Sequence, residues 1–193
     1  MANVGDVLYG IKKGVMEELD PSTQLPKEGG GVKIQFTTAD SAEMEPAISE
    51  GEEQIQRTDE RILAVVSTPD LLYGYNIKLT DNTFNAQMAS LVEGGVVKTG
   101  DSSTITGYST PKLQDGCTTK LFRLTLYVAN YEGDSIKNYA KIIFHKCRGT
   151  ASTMSIGKEF YAPEFNVKAR EATKASLPCR DIEYVDELPA DTQ

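Results

Sequence analysis

Apolar and polar side chains alternate at a period of two over several stretches of the chain, the pattern of strands buried on one face. Val32, Ile34 and Phe36 alternate with Lys33, Gln35 and Thr37, behind the flexible "KEGGG". In "LLYGYNIKLT", Leu71, Tyr73, Tyr75, Ile77 and Leu79 share one face. In "KLFRLTLYVAN", Phe122, Leu124, Leu126 and Val128 do the same. "YEGDS" then turns the chain, and "KNYAKIIFHK" returns with Ala140, Ile142 and Phe144 on one face. Two strong runs across a short glycine-containing turn predict a β-hairpin. Phe165, Val167 and Ala169 predict a strand headed by Pro163, at a strand start or an edge. "DIEYVDELP" predicts a last short strand, Ile105 to Tyr108 another, and the apolar run "RILAVVS" suits a buried one.

One stretch breaks this period. In "LTDNTFNAQMASLVEGG", Phe84, Met88, Leu91 and Val92 fall on one face of a helix over residues 83–93. Asp81, Asn82 or Thr83 can accept from the free N–H groups at its start, and Gly94 can end it in the left-handed conformation. So short a helix is not stable alone in water, so it must dock by that face.

"TADSAEMEPAISEGEEQIQRTDE" holds Pro46, Gly51 and too few apolar residues for a core strand. It predicts a long acidic arm or loop at about 38–60, or a hairpin. Near the N-terminus, Val7, Ile11 and Val15 suit a helix, whereas Gly10 and Gly14 weaken one. These elements describe one domain over residues 1–193 with extended N- and C-terminal segments. The fold class is mainly β: a β-sandwich or partly closed β-barrel of about eight strands with one short flanking α-helix.

Charge adds direction to this outline. The formal net charge is −8, which disfavours tight binding to nucleic acid. From Asp40 to Glu60 there are eight acids and one base, and "DIEYVDELPADTQ" adds five acids and no base. Lys112 to Lys174 holds eleven bases against six acids. Acidic ends and a basic middle suit head-to-tail contact between copies of one chain. No apolar run is long enough to cross a bilayer as a helix, and glycines and charges interrupt the N-terminus where a signal peptide would be apolar. Synthesis in the cytosol is the expectation. Cys117, Cys147 and Cys179 are odd in number and far apart, as free thiols in a reducing compartment would be.

Candidate chemistry is sparse. The single histidine, His145, has no ligand pair beside it for a metal cage. No nucleophile elbow, phosphate loop, dinucleotide fingerprint or zinc-protease motif is present. "GDSST" reads as a turn. The acids from Glu43 to Glu60 have only other acids and glycine beside them, which does not split the pKa values of a carboxylate pair. Tyr73, Tyr75, Tyr127, Tyr131 and Tyr139 could form a stacking platform, but serve more simply in core or interface. The expectation is no catalytic residue, no metal site and no cofactor.

Three stretches together resemble a family. They are "EGEEQIQRTDERILAVVSTPDLLYGYNIKLTDNTFNAQMASLVEGG", the hairpin "KLFRLTLYVANYEGDSIKNYAKIIFHKCRG", and "KEFYAPEFNVKAREATKASLPCRDIEYVDELP". Their order resembles that of the major tail protein, the tail-tube subunit of long-tailed bacteriophages and prophages, closest to those of Gram-positive hosts. The resemblance runs from about Val32 to Pro189 and rests on the order of elements. It implies a structural virion protein, made in the host cytoplasm, whose hexameric rings stack into a tube through which the genome passes. It implies as partners further copies of the chain, a tape-measure protein, a tail terminator and baseplate or tail-tip proteins. DNA would cross a carboxylate-lined bore without tight binding, and no membrane is involved. The acidic arm, with Glu43, Glu45, Glu50, Glu52 and Glu53, would reach the adjacent ring. The alternative is a monomeric β-sandwich module that binds carbohydrate or peptide through its loops and tyrosines.

Overall fold

The computed structural model describes residues 5–100, 104–112, 114, 119–153 and 162–191. In chain order its elements are β1 (Val7–Glu18), β2 (Lys33–Phe36), β3 (Ala39–Ser49), β4 (Glu53–Arg57), β5 (Ile62–Ser67), β6 (Leu71–Asp81), α1 (Ala86–Glu93), β7 (Val96–Thr99), β8 (Ile105–Ser109), β9 (Leu121–Glu132), β10 (Ser135–Gly149), β11 (Glu164–Arg170) and β12 (Arg180–Val185). Eight strands form one antiparallel sheet, in the order β2-β1-β9-β10-β11-β6-β3, with β12 also paired to β10. The hairpins β4–β5 and β7–β8 form two small separate sheets. The mainly β expectation holds.

The long strand β10 organises the sheet. One edge pairs with β9, while the other pairs with β12 over Tyr139–Phe144 and with β11 over Lys146–Gly149. The sheet also curls, so that β1 and β3, far apart in strand order, lie against each other. Phe122, Leu124, Leu126, Phe144, Phe165, Val167, Ile77 and Leu79 fill the concave side with Met88, Leu91 and Val92 of the helix. The predicted hairpin is β9–β10, with Gly133 at φ 64° in its two-residue turn.

The N-terminal segment is a strand. Gly10, at φ 69°, sits at a bulge where β1 shifts register against β9. At Gly14 a Cβ would lie 2.1 Å from the Phe36 ring, so glycine there lets the ring cover the strand. These two glycines, which argue against a helix, serve the strand instead.

The helix is shorter than the 83–93 expected. Asn85 is its cap, accepting from the amides of Gln87 (2.9 Å) and Met88 (3.2 Å), so none of Asp81, Asn82 and Thr83 caps it. Asp81 Oδ1 instead accepts from the Thr83 amide at 3.2 Å and turns the chain ahead of the cap. Gly94 ends the helix at φ 85° and donates to the Ser90 carbonyl. Helix and sheet approach closely at Gly149, where a Cβ would lie 2.3 Å from the Val92 carbonyl oxygen. Met88, Leu91 and Val92 are buried, but Phe84 is 44% exposed. It precedes the cap, so its side chain does not follow the helical face; its ring rests beside Tyr108, centroids 6.4 Å apart. Phe84→Ala should therefore cost about 1 kcal/mol, the scale of an exposed aromatic pair. Leu91→Ala should cost about 2–5 kcal/mol. Urea denaturation of the two variants checks the contrast.

The acidic stretch at about 38–60 is not a loop. Its first half is β3, paired with β6 over ten positions at one end of the sheet. Its second half is the first strand of the β4–β5 hairpin. An edge strand needs only one paired side and tolerates both acids and Pro46. "RILAVVS" does form a strand, β5, but every residue of it is exposed.

At the opposite end of the sheet Glu17 sits between Arg123 (2.5 Å) and Lys33 (3.2 Å). Burial raises its pKa, but hydrogen bonds and charge from Arg123 and Lys33 outweigh this and hold the carboxyl below the value of 4.5 of a free glutamate. A folded-state pKa below the unfolded one adds stability that is present above about pH 4.5 and is lost as pH falls through the folded value. Glu17→Gln should therefore flatten the acid limb of a stability–pH profile below about pH 4.5. An unchanged limb would show that other carboxylates carry it.

Candidate assembly surface

The hairpin β4–β5 stands off the sheet between the end of β3 and the start of β6. Every residue of both strands is exposed. On one of its faces Ile55 pairs directly across from Val65, with Leu63 two residues along. Past a bulge Ile62 pairs with Arg57, which puts it on the Ile55 face as well, while Val66 lies on the other. The exposure of these five side chains runs from 51% to 63%. Ile48, Leu71, Leu72 and Tyr73 at the junction with the sheet are also exposed and extend the apolar surface.

The neck of the hairpin is fixed rather than loose. Glu52 and Thr68 exchange backbone and side-chain hydrogen bonds, with Glu52 N–H to Thr68 Oγ1 at 2.8 Å and Thr68 N–H to the Glu52 carbonyl at 2.9 Å. The Gly51 amide donates to Asp70 Oδ1 at 2.8 Å. The two legs approach so closely that a Cβ on Gly51 would lie 1.8 Å from the Thr68 carbonyl oxygen. Backbone bonds at the neck hold the apolar strands out into solvent.

The structure divides the five acids singled out in the sequence. Glu43 and Glu45 lie on β3, opposite Lys78 and Asn76 of β6. They border a shallow cavity of about 270 Å³ together with Lys78 and Lys168. Glu50, Glu52 and Glu53 instead cluster at the base of the hairpin, and none of the three has an ion-pair partner among the described residues. Sequence reasoning missed the apolar face above them, because an apolar strand awaiting a partner reads like a buried one.

The remaining chemistry-bearing groups have structural partners. His145 is buried, with Nε2 2.8 Å from Asp181 Oδ2 on β12. Cys147 and Cys179 are free thiols; burial pushes both thiol pKa values up, which leaves little reactive thiolate. Cys117, and most of "GDSST", lie outside the described residues. Tyr73 and Tyr75 lie under the guanidinium groups of Arg170 (4.9 Å) and Arg180 (4.5 Å). Tyr108 donates to Glu93 Oε2 at 2.8 Å, and burial followed by that carboxylate pushes its pKa up. Among the described residues no three His, Cys, Asp or Glu side chains are grouped to hold a metal ion. No described helix is long and apolar enough to cross a membrane.

No family model matches the chain, and no curated protein matches it. A solved structure described as "Cryo-EM structure of the anti-feeding prophage cap (AFP tube terminating cap)" is similar to it with a TM-score of 0.38 and 13% identity, over 95% of this chain and 97% of that chain. A likeness at that level carries no inference about what this chain does.

Proposed function

We propose that the chain is a self-assembling structural subunit, a tail-tube protein whose copies form rings that stack into a tube. The observation that carries this reading is the β4–β5 hairpin. Isolated two-stranded hairpins are marginal in water, yet this one holds Ile55, Ile62, Leu63, Val65 and Val66 in solvent above a hydrogen-bonded neck. An apolar surface of that extent on a soluble chain marks a contact with another protein. The order of sequence elements that resembles the major tail protein supports the chain itself as the partner. Among the described residues β3 pairs with no strand beyond β6, and where β1 does not lie against it this edge offers a second mode of contact.

In this reading the hairpin is the arm that reaches an adjacent copy, with Glu50, Glu52 and Glu53 at its base. Tape-measure, terminator and tail-tip proteins would contact the finished tube, and DNA would pass along its bore. Sedimentation velocity over a wide range of protein concentration tests the reading. Growth from a 21 kDa monomer to a discrete ring and then to larger species is the expected result. A monomer at every concentration would favour a solitary binding module.

A further inference from the structure

We propose that four cations on the outer face of β10 and β11 form a socket for the carboxylates at the hairpin base of a second copy; this rests on the self-assembly reading above. On β10, Lys146 and Arg148 point away from the core, since Cys147 between them and Gly149 after them are buried. On β11, Lys168 and Arg170 do the same, either side of buried Ala169. The register places Lys146 directly opposite Arg170, and Arg148 directly opposite Lys168. All four line an open cavity of about 510 Å³.

Two like-charged pairs across neighbouring strands repel, and a lone subunit gains nothing from them. Among the described residues no carboxylate pairs with any of the four. Arg170 uses Nη1 on the carbonyls of Tyr75 (3.2 Å) and Ala169 (2.7 Å), which fixes its position without neutralising it. Glu43 and Glu45 border a neighbouring cavity with Lys168, but among the described residues no carboxylate is in ion-pair contact with the socket, and Glu50, Glu52 and Glu53 at the hairpin base are exposed and in no ion pair. A chain of net charge −8 offers other copies far more carboxylate than it offers a phosphate backbone cationic surface, so a second copy is favoured over nucleic acid. Carboxylates entering a groove flanked by Arg148 and Arg170 would form charge-assisted hydrogen bonds.

Charge reversal in the full chain tests the socket. Lys146→Glu/Arg148→Glu/Lys168→Glu should stop assembly at 150 mM salt, and so should Glu50→Lys/Glu52→Lys/Glu53→Lys. The chain carrying all six should assemble again, read by sedimentation and electron microscopy. Lys146→Glu alone should raise the monomer melting temperature by about 1–3 °C, because it replaces the repulsion with Arg170 by an attraction; melting curves of both triple variants show that they fold. Tubes unaffected by the socket reversal would overturn the socket and leave the tube reading standing. Loss in both triple variants without recovery in the sixfold one would also overturn it. So would retention of a DNA oligonucleotide that depends on the four cations. A wild-type chain that never assembles would overturn both readings.

Discussion

If copies build a tube as proposed, a chain carrying Ile55→Glu and Val65→Glu should form none at concentrations where the unsubstituted chain assembles, yet melt within a few degrees of it. The two side chains pair across the hairpin and are about half exposed, so the lone subunit draws little stability from them. Exposed substitutions away from the core usually change stability by less than about 0.5 kcal/mol, and two facing carboxylates repel by no more than about 1 kcal/mol, so the melting temperature falls by a few degrees at most. The contact between copies is another matter. Burying the remaining apolar surface of both residues is worth about 2–3 kcal/mol at each contact, or roughly 30- to 150-fold in affinity. Two carboxylates trapped in an apolar contact add a desolvation penalty, and the loss repeats at every contact of a ring. Sedimentation and thermal melting of the same sample check both halves. Normal assembly would show that the apolar hairpin makes no contact; a collapse in melting temperature would show that it belongs to the core.

Phe144→Ala has the largest effect expected on the fold. Phe144 is fully buried in the centre of β10, opposite Leu124 of β9 on one side and Arg180 of β12 on the other. Its ring meets Tyr75 edge-on at 6.0 Å, which ties the β6 side of the curled sheet to β10. Removing a buried ring at such a junction costs about 3–5 kcal/mol. For a chain of this size that lowers the melting temperature by on the order of 10 °C. A shift of less than about 3 °C would place the ring outside the core. The contrast with Phe84→Ala separates a ring in the core from one ahead of a helix cap.

Burial on one face made most of the large sheet legible in the sequence. In β11 and the second half of β6 that burial gives clear alternation, and in β9 and β10 it does so over part of each strand, so Ile77 and Leu79, Phe122 and Leu124, and Phe165 and Val167 declare their strands. The helix was legible through Gly94 and the spacing of Met88, Leu91 and Val92. Its start was not, because Asp81, Asn82, Thr83 and Asn85 can all accept from free amides. Only tertiary position decides that Asn85 does so and that Phe84 falls outside. The edge strand β3 was hidden because only Ala42 and Met44 alternate with Glu43 and Glu45 before Pro46 interrupts, too short an apolar pattern to stand out among acids, and pairing on a single side demands little of it. The apolar run of β5 was legible as a strand but not as an exposed one. A strand that buries itself in its own core and one that awaits a partner carry the same residues. The basic middle of the chain showed in the charge count, but only the register of β10 and β11 sets Arg148 opposite Lys168.

In the proposed function, copies of this chain build a tube. Negative-stain electron microscopy of the purified chain, concentrated from a monomeric peak, tests it most directly. Rings and tubes of one uniform diameter are the expected result. Dispersed single particles at every concentration, or aggregates without a common diameter, would contradict it.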